Sequence, residues 1–148
     1  MTAKDYLLQA RFLDDRINSK TQQIASLNEL AAKCTTTFSD MPRNPNRGHS
    51  RVEDCVIKII DLEDSLKKDI EKLVDLKKEI MGVIKAVPNV EYQTLLEKRY
   101  LCFITWEQIA VDMNYGIDNV FKLHKKALAC VVVPEALQKN PLYSIRLL

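Results

Sequence analysis

The stretch TWEQIAVDMNYGIDNVFKLHKKALACV, from Thr105 to Val131, decides how this chain is read. Thr105-Trp106-Glu107-Gln108 has the form of a capping box: the threonine hydroxyl can accept from the Gln108 amide while the glutamine side chain reaches back, satisfying two donors that a helix start leaves open. Ile109, Ala110 and Met113 then fall on one face, with Ala110 small where a neighbouring helix must come close. Asn114 stands where the chain needs a left-handed exit, which asparagine tolerates better than any residue except glycine. Gly116 is an acceptable N-cap for the next helix. That helix is expected from about Ile117 to Val131, burying Val120, Leu123, Ala127 and Leu128 and exposing Asn119, Lys122, Lys125 and Lys126. A capped helix, a short turn and a second amphipathic helix have the spacing of a helix-turn-helix.

Upstream of this stretch, a helix from about Val90 to Tyr100 carries Leu95, Leu96 and Tyr100 on its apolar side. Earlier still, steps of four and three residues connect Tyr6, Ala10, Leu13, Ile17, Lys20, Ile24, Leu27, Ala31 and Cys34, a heptad seam with one polar member. A second seam runs through Cys55, Ile59, Leu62, Leu66, Asp69, Leu73, Leu76, Ile80, Val83 and Val87, and should stop near Pro88. Pairs such as Glu63 with Lys67 and Asp64 with Lys68 mark its solvated face. Between the seams, residues 35–50 hold two prolines and a glycine with no apolar period. They are expected to form a loop, with Phe38 and Met41 as anchors and a small basic group of Arg43, Arg47, His49 and Arg51.

Two helices of roughly 30 residues span about 45 Å each. Val56, Ile70, Val74 and Ile84 widen the second stripe beyond what one partner helix covers, so self-association into a four-helix bundle is expected, with packing against the C-terminal region as the other solution. The division expected is a helical hairpin over residues 1–87 including the loop, a helix-turn-helix domain over 88–131, and a tail over 132–148 whose apolar Leu137, Leu142, Tyr143, Ile145, Leu147 and Leu148 can pack onto the bundle or a partner, with a frayed end as the alternative.

Composition fits this reading. In 148 residues, 47% are hydrophobic and 28% charged, with three glycines and five prolines, which favours an all-α protein. The net charge of +2 is too small to imply nucleic-acid binding by itself. Cys34, Cys55, Cys102 and Cys130 are far apart, with no C-x-x-C pair, so they read as reduced, half-buried thiols and not as a metal site or disulfide framework. The opening MTAKDYLLQARFLDDR meets charges too early for a signal peptide, and no apolar run approaches the roughly 20 residues of a membrane span. A cytoplasmic protein is expected, neither secreted nor inserted in a membrane. No paired acid and base, glycine-rich phosphate loop or base-activated nucleophile points to an enzyme, and no cofactor is implied. His124 is read as facing solvent among lysines, and Trp106 as a packing residue, with a partner-binding anchor as the alternative.

The segments LLEKRYLCFITWEQIAVDMNY and NVFKLHKKAL resemble region 4 of bacterial sigma factors, the domain that reads the promoter −35 element. From MTAKDYLLQARFLDDRINSK through DMPRN, IIDLEDSL, DIEKLVDLKKEI and RYLCFITWEQIAVDM, about residues 1 to 131, the chain also resembles small phage and prophage regulators of Gram-positive bacteria. These are grouped with late-gene transcription activators of the RinA and ArpU type. The resemblance implies a DNA-binding transcriptional regulator, working in the bacterial host cytoplasm on double-stranded promoter DNA, with host RNA polymerase as a further candidate partner whose direct contact the sequence leaves open.

The sequence departs from the sigma pattern where DNA would be touched. A serine or threonine cap followed by arginines is replaced by Gly116, Ile117, Asp118, Asn119, Phe121 and Lys122. From Pro88 to Val131 five basic residues meet five acidic ones, so this part of the chain is neutral and weak monomeric binding is expected. Asn119 can pair with an adenine, Lys122 can donate to a guanine and Phe121 can touch a thymine methyl, while Lys125 and Lys126 suit phosphates. Thr105, opening the first motif helix, completes the candidate DNA-binding set. The alternative, favoured by Ile117, Asp118 and Phe121, is a protein-interaction module that binds RNA polymerase or another regulator without reading DNA.

Overall fold

The computed structural model of the protein describes residues 2–40 and 45–134, and side chains outside residues 34–50. Among the described residues the chain is all-helical: α1 (Ala3–Asp40), α2 (Pro45–Lys85), α3 (Val90–Leu96), α4 (Trp106–Met113) and α5 (Ile117–Ala129). The Thr2 hydroxyl accepts from the Asp5 amide at 3.1 Å and so opens α1. Asn89 caps α3 through its side-chain oxygen, which accepts from the amides of Glu91 (2.8 Å) and Tyr92 (3.4 Å). The helix expected to continue to Tyr100 instead widens into a π-helical turn over Glu97–Leu101, closed by the Cys102 amide donating to the Glu97 carbonyl at 3.0 Å. Phe103 follows with φ of 57°, a left-handed conformation that costs a bulky residue about 1 to 2 kcal/mol. Its ring packs against the core beneath it, with Lys77 at 4.7 Å and Arg11 at 5.8 Å from its centroid.

The expected loop over residues 35–50 is a correction. Helix α1 continues through Asp40 and α2 begins at Pro45. The threonine run is a poor helix former, but propensity is a weak prior, and extending a helix already some thirty residues long carries no nucleation cost. Proline in a first turn gives up only an amide that has no intrahelical partner there. The anchoring roles expected of Phe38 and Met41 and the loop group of Arg43, Arg47 and His49 lie outside the described side chains, as does the tail from residue 135 onward.

The chain divides into two compact units, Met1–Leu13 with Leu73–Leu148, and Asp14–Lys72. The boundary expected at Val87 to Asn89 therefore falls inside the first unit. There Tyr6, Leu7 and Ala10 of α1 are buried together with Leu76, Ile80 and Ile84 of α2, with Val87, Leu96, Tyr100 and with Ala127 of α5. A second cluster joins Leu95, Ile109, Ala110 and Val120, flanked by Ile104, Trp106, Met113 and Leu123.

In the second unit, Ile17, Ile24, Leu27 and Ala31 of α1 and Cys55, Ile59, Leu62 and Leu66 of α2 are half-buried, the faces predicted by the two seams. The polar exceptions in those seams are partners: Lys20 forms an ion pair with Asp69 and donates to the Ser65 hydroxyl at 2.7 Å. The stripe that widened the second helix separates into two kinds of position. Ile84 is fully buried within its own chain, whereas Val56, Ile70 and Val74 are exposed.

Candidate nucleic-acid interface

Helix α4 starts as its sequence dictates and is held by one half of the expected capping box. The Thr105 hydroxyl accepts from the Gln108 amide at 3.3 Å, but the Gln108 side chain donates forward to Asp112 at 2.8 Å and does not reach back. The Asp112 carboxylate one turn ahead is a charged acceptor for the Gln108 side-chain N–H, and that bond draws the side chain forward, away from the Thr105 amide from which it would have to accept. The helix ends at Asn114 with φ 59° and ψ 39°, and the Asn114 amide donates to the carbonyls of Ala110 and Val111. Gly116, extended at φ −67° and ψ 153°, then opens α5 with no side-chain cap.

On α5, Val120 and Ala127 are fully buried and Leu123 and Leu128 half-buried, so the apolar stripe faces inward as its period requires. Asn119, Phe121, Lys122, Lys125 and Lys126 are exposed on the remaining face, and Thr105 is exposed at the start of α4. The structure thus places every candidate side chain where solvent or a ligand can reach it. Phe121 has a second engagement: its ring meets the Trp106 ring edge-on at 5.4 Å, leaving 46% of the residue exposed.

The other two cations of this region, Lys98 and Arg99, are engaged. Lys98 pairs with Asp112 at 3.6 Å, Tyr115 donates to the Glu91 carboxylate, and the Arg99 guanidinium donates to the Ile104 carbonyl at 3.0 Å while stacking 4.5 Å from the Trp106 centroid. The positive charge on the exposed face of α5 therefore comes from Lys122, Lys125 and Lys126, separated by the steps that keep them on one side of a helix.

His124 departs from the expectation of a solvent-facing histidine. It is buried, with Nε2 at 2.6 Å from the Tyr100 hydroxyl and its ring 4.5 Å from that of Trp106. Burial lowers its pKa to about 4, helped by the nearby Lys4 and Arg99 cations, and burial pushes the Tyr100 hydroxyl up to about 12. A phenol that holds its proton beside a neutral imidazole makes Tyr100 the donor and Nε2 the acceptor. The signal for this was present in the periodicity: His124 lies four residues after Val120 and three before Ala127, inside the buried stripe. Tyr100, His124, Trp106 and Arg99 together fix α5 against the π-helical turn and α4, so the exposed lysines project from a braced helix.

Among the described residues no helix is long and apolar enough to cross a membrane, and no three of His, Cys, Asp and Glu cluster as metal ligands would. Cys55, Cys102 and Cys130 are free thiols; Cys102 is exposed, where a half-buried position was expected, because the π-helical turn carries it outward. Comparison of the chain with protein-family models, with curated proteins and with solved structures finds no match.

Proposed function

We propose that this protein is a DNA-binding transcriptional regulator of phage origin, with α4, the turn at Asn114 and α5 acting as a helix-turn-helix of the sigma-region-4 kind. The long helices α1 and α2 are read as a hairpin for assembly. The observation that supports this is the division of α5: Val120, His124 and Ala127 turn inward, leaving Asn119, Lys122, Lys125 and Lys126 together on the exposed side. Lysines on one helical face can neutralise successive phosphates, and Asn119, near the helix start, is where recognition helices contact base edges. Promoter DNA is the proposed ligand, with activation of late genes as the outcome.

The test is binding to duplex fragments from the region flanking the protein's own gene, across a salt series. Lys122→Ala should weaken binding to all sequences and flatten the logarithmic salt dependence by about one unit, whereas Asn119→Ala should cost about 1 to 3 kcal/mol at one base position only. Equal binding by wild type and the double variant Lys122→Ala with Lys125→Ala, or no binding at low salt, would overturn the reading.

A second reading has its own support. Val111, Tyr115, Ile117 and Phe121 expose apolar surface on α4, the turn and α5. Such a surface suits a protein partner, and the alternative is a module that docks on RNA polymerase without reading DNA.

A further inference from the structure

Helix α2 carries a second heptad stripe beside the one that faces α1. Val56, Ile60, Glu63, Lys67, Ile70 and Val74 step by four and three residues, each one position on from the half-buried seam and so turned about 100° around the helix. The four apolar members are between 44% and 58% exposed, and Glu63 and Lys67 are exposed between them. The stripe is symmetric about Ser65: Val56 corresponds to Val74, Ile60 to Ile70, and Glu63 to the oppositely charged Lys67.

We infer that this stripe binds a second copy of the chain, antiparallel, with Glu63 of each copy against Lys67 of the partner subunit. A two-fold interface requires a surface that complements itself, residue i meeting j while j meets i. Antiparallel pairing about the level of Ser65 meets that condition at every layer, with Val56 on Val74, Ile60 on Ile70 and two opposite-charge layers at the centre. Alternating steps of four and three residues also place each position that begins a four-residue step opposite one that begins a three-residue step, as antiparallel coiled coils pack. Parallel pairing in register would set Glu63 against its own copy and Lys67 against its own copy, so charge selects the orientation. The central charges fix the register, at some loss of apolar contact. This interface does not depend on DNA being the ligand of α5.

The test uses the full chain in sedimentation equilibrium, with thermal melts by circular dichroism to show that each variant folds. Wild type should dimerise at micromolar concentration. Glu63→Lys alone and Lys67→Glu alone each place like charges at both central layers, and each should weaken self-association by roughly tenfold or more. Mixing those two variants should restore a dimer containing one of each, and the double exchange Glu63→Lys with Lys67→Glu should restore a homodimer. A wild type that stays monomeric at about 100 μM, a dimer indifferent to either single exchange, or single variants that fail to pair on mixing would each overturn the inference. A monomer that dimerises only after removal of residues 135–148 would also overturn it, by showing the chain's own C-terminal segment on the stripe.

Discussion

The two compact units spend their hydrophobic residues differently. Every fully buried apolar side chain among the described residues, from Tyr6 and Leu7 to Val120 and Ala127, lies in the unit formed by Met1–Leu13 and Leu73–Leu148. In Asp14–Lys72 the apolar seams are only half-buried, and the most buried residue is a carboxylate, Asp69, at 6% exposed and paired with Lys20. The difference is geometric. Segments of all five α-helices share the first unit and can enclose a side chain on all sides, whereas the second unit draws on α1 and α2 alone, and two helices can bury only one strip of each other. An apolar seam on such a pair is a partial core, and Ile60 and Ile70 stand exposed beside it.

Substitutions should separate the units by size of effect. Ile80→Ala, in the enclosed core, should cost about 2 to 5 kcal/mol in a urea titration. Leu62→Ala, half-buried in the other unit, should cost well under half as much; equal costs would show that the second unit is as closed as the first. In that unit, Lys20→Met alone leaves the Asp69 carboxylate without its cation and should destabilise by about 3 kcal/mol, whereas Lys20→Met with Asp69→Leu should recover most of the loss. A double variant as unstable as the single one would mean that the pair has no such coupling.

Acid should act through the first unit. The folded pKa of His124 is lowered from 6.5 to about 4, so the unfolded chain binds the proton more readily between those values. The stability contributed by neutral His124 is complete above about pH 6.5 and is lost as the pH falls towards 4, by up to about 3 kcal/mol. His124→Gln keeps an acceptor for Tyr100 but cannot be protonated, and should flatten the stability profile across that range. An unchanged slope would place the acid sensitivity elsewhere. The smallest effect is expected at Gly116, where an added Cβ meets nothing within 4 Å and the backbone already has N-cap geometry. Gly116→Ser should raise the melting temperature slightly, by a few tenths of a kcal/mol in stability, because a hydroxyl can accept from an open amide of α5.

Much of this was legible in the residues. Thr105, Asn114 and Gly116 marked the ends of α4 and α5 because capping is decided within a few residues of the chain. The two seams identified the inward faces of α1 and α2, including the departures at Lys20 and Asp69, since burial follows helical period whatever lies opposite. The candidate residues on α5 were exposed as expected for the same reason. The helix through Asp40 was hidden by poor local propensity, which cooperative extension outweighed. Gln108 was assigned to the wrong partner because Thr105 and Asp112 both lie within its reach.

What the sequence determined by itself was the helical class, the caps and the direction of each apolar face, all properties carried by neighbours three or four residues apart. What only the tertiary structure decided was which faces meet. Tyr6, Leu7 and Ala10 close over Ile80, Tyr100 and Ala127, Lys20 finds Asp69, and His124 is drawn inward beneath Tyr100 and Trp106. Each joins positions far apart in the chain. Periodicity states that a face must leave water without naming its partner, and a histidine among lysines has its protonation set by the neighbours that folding supplies.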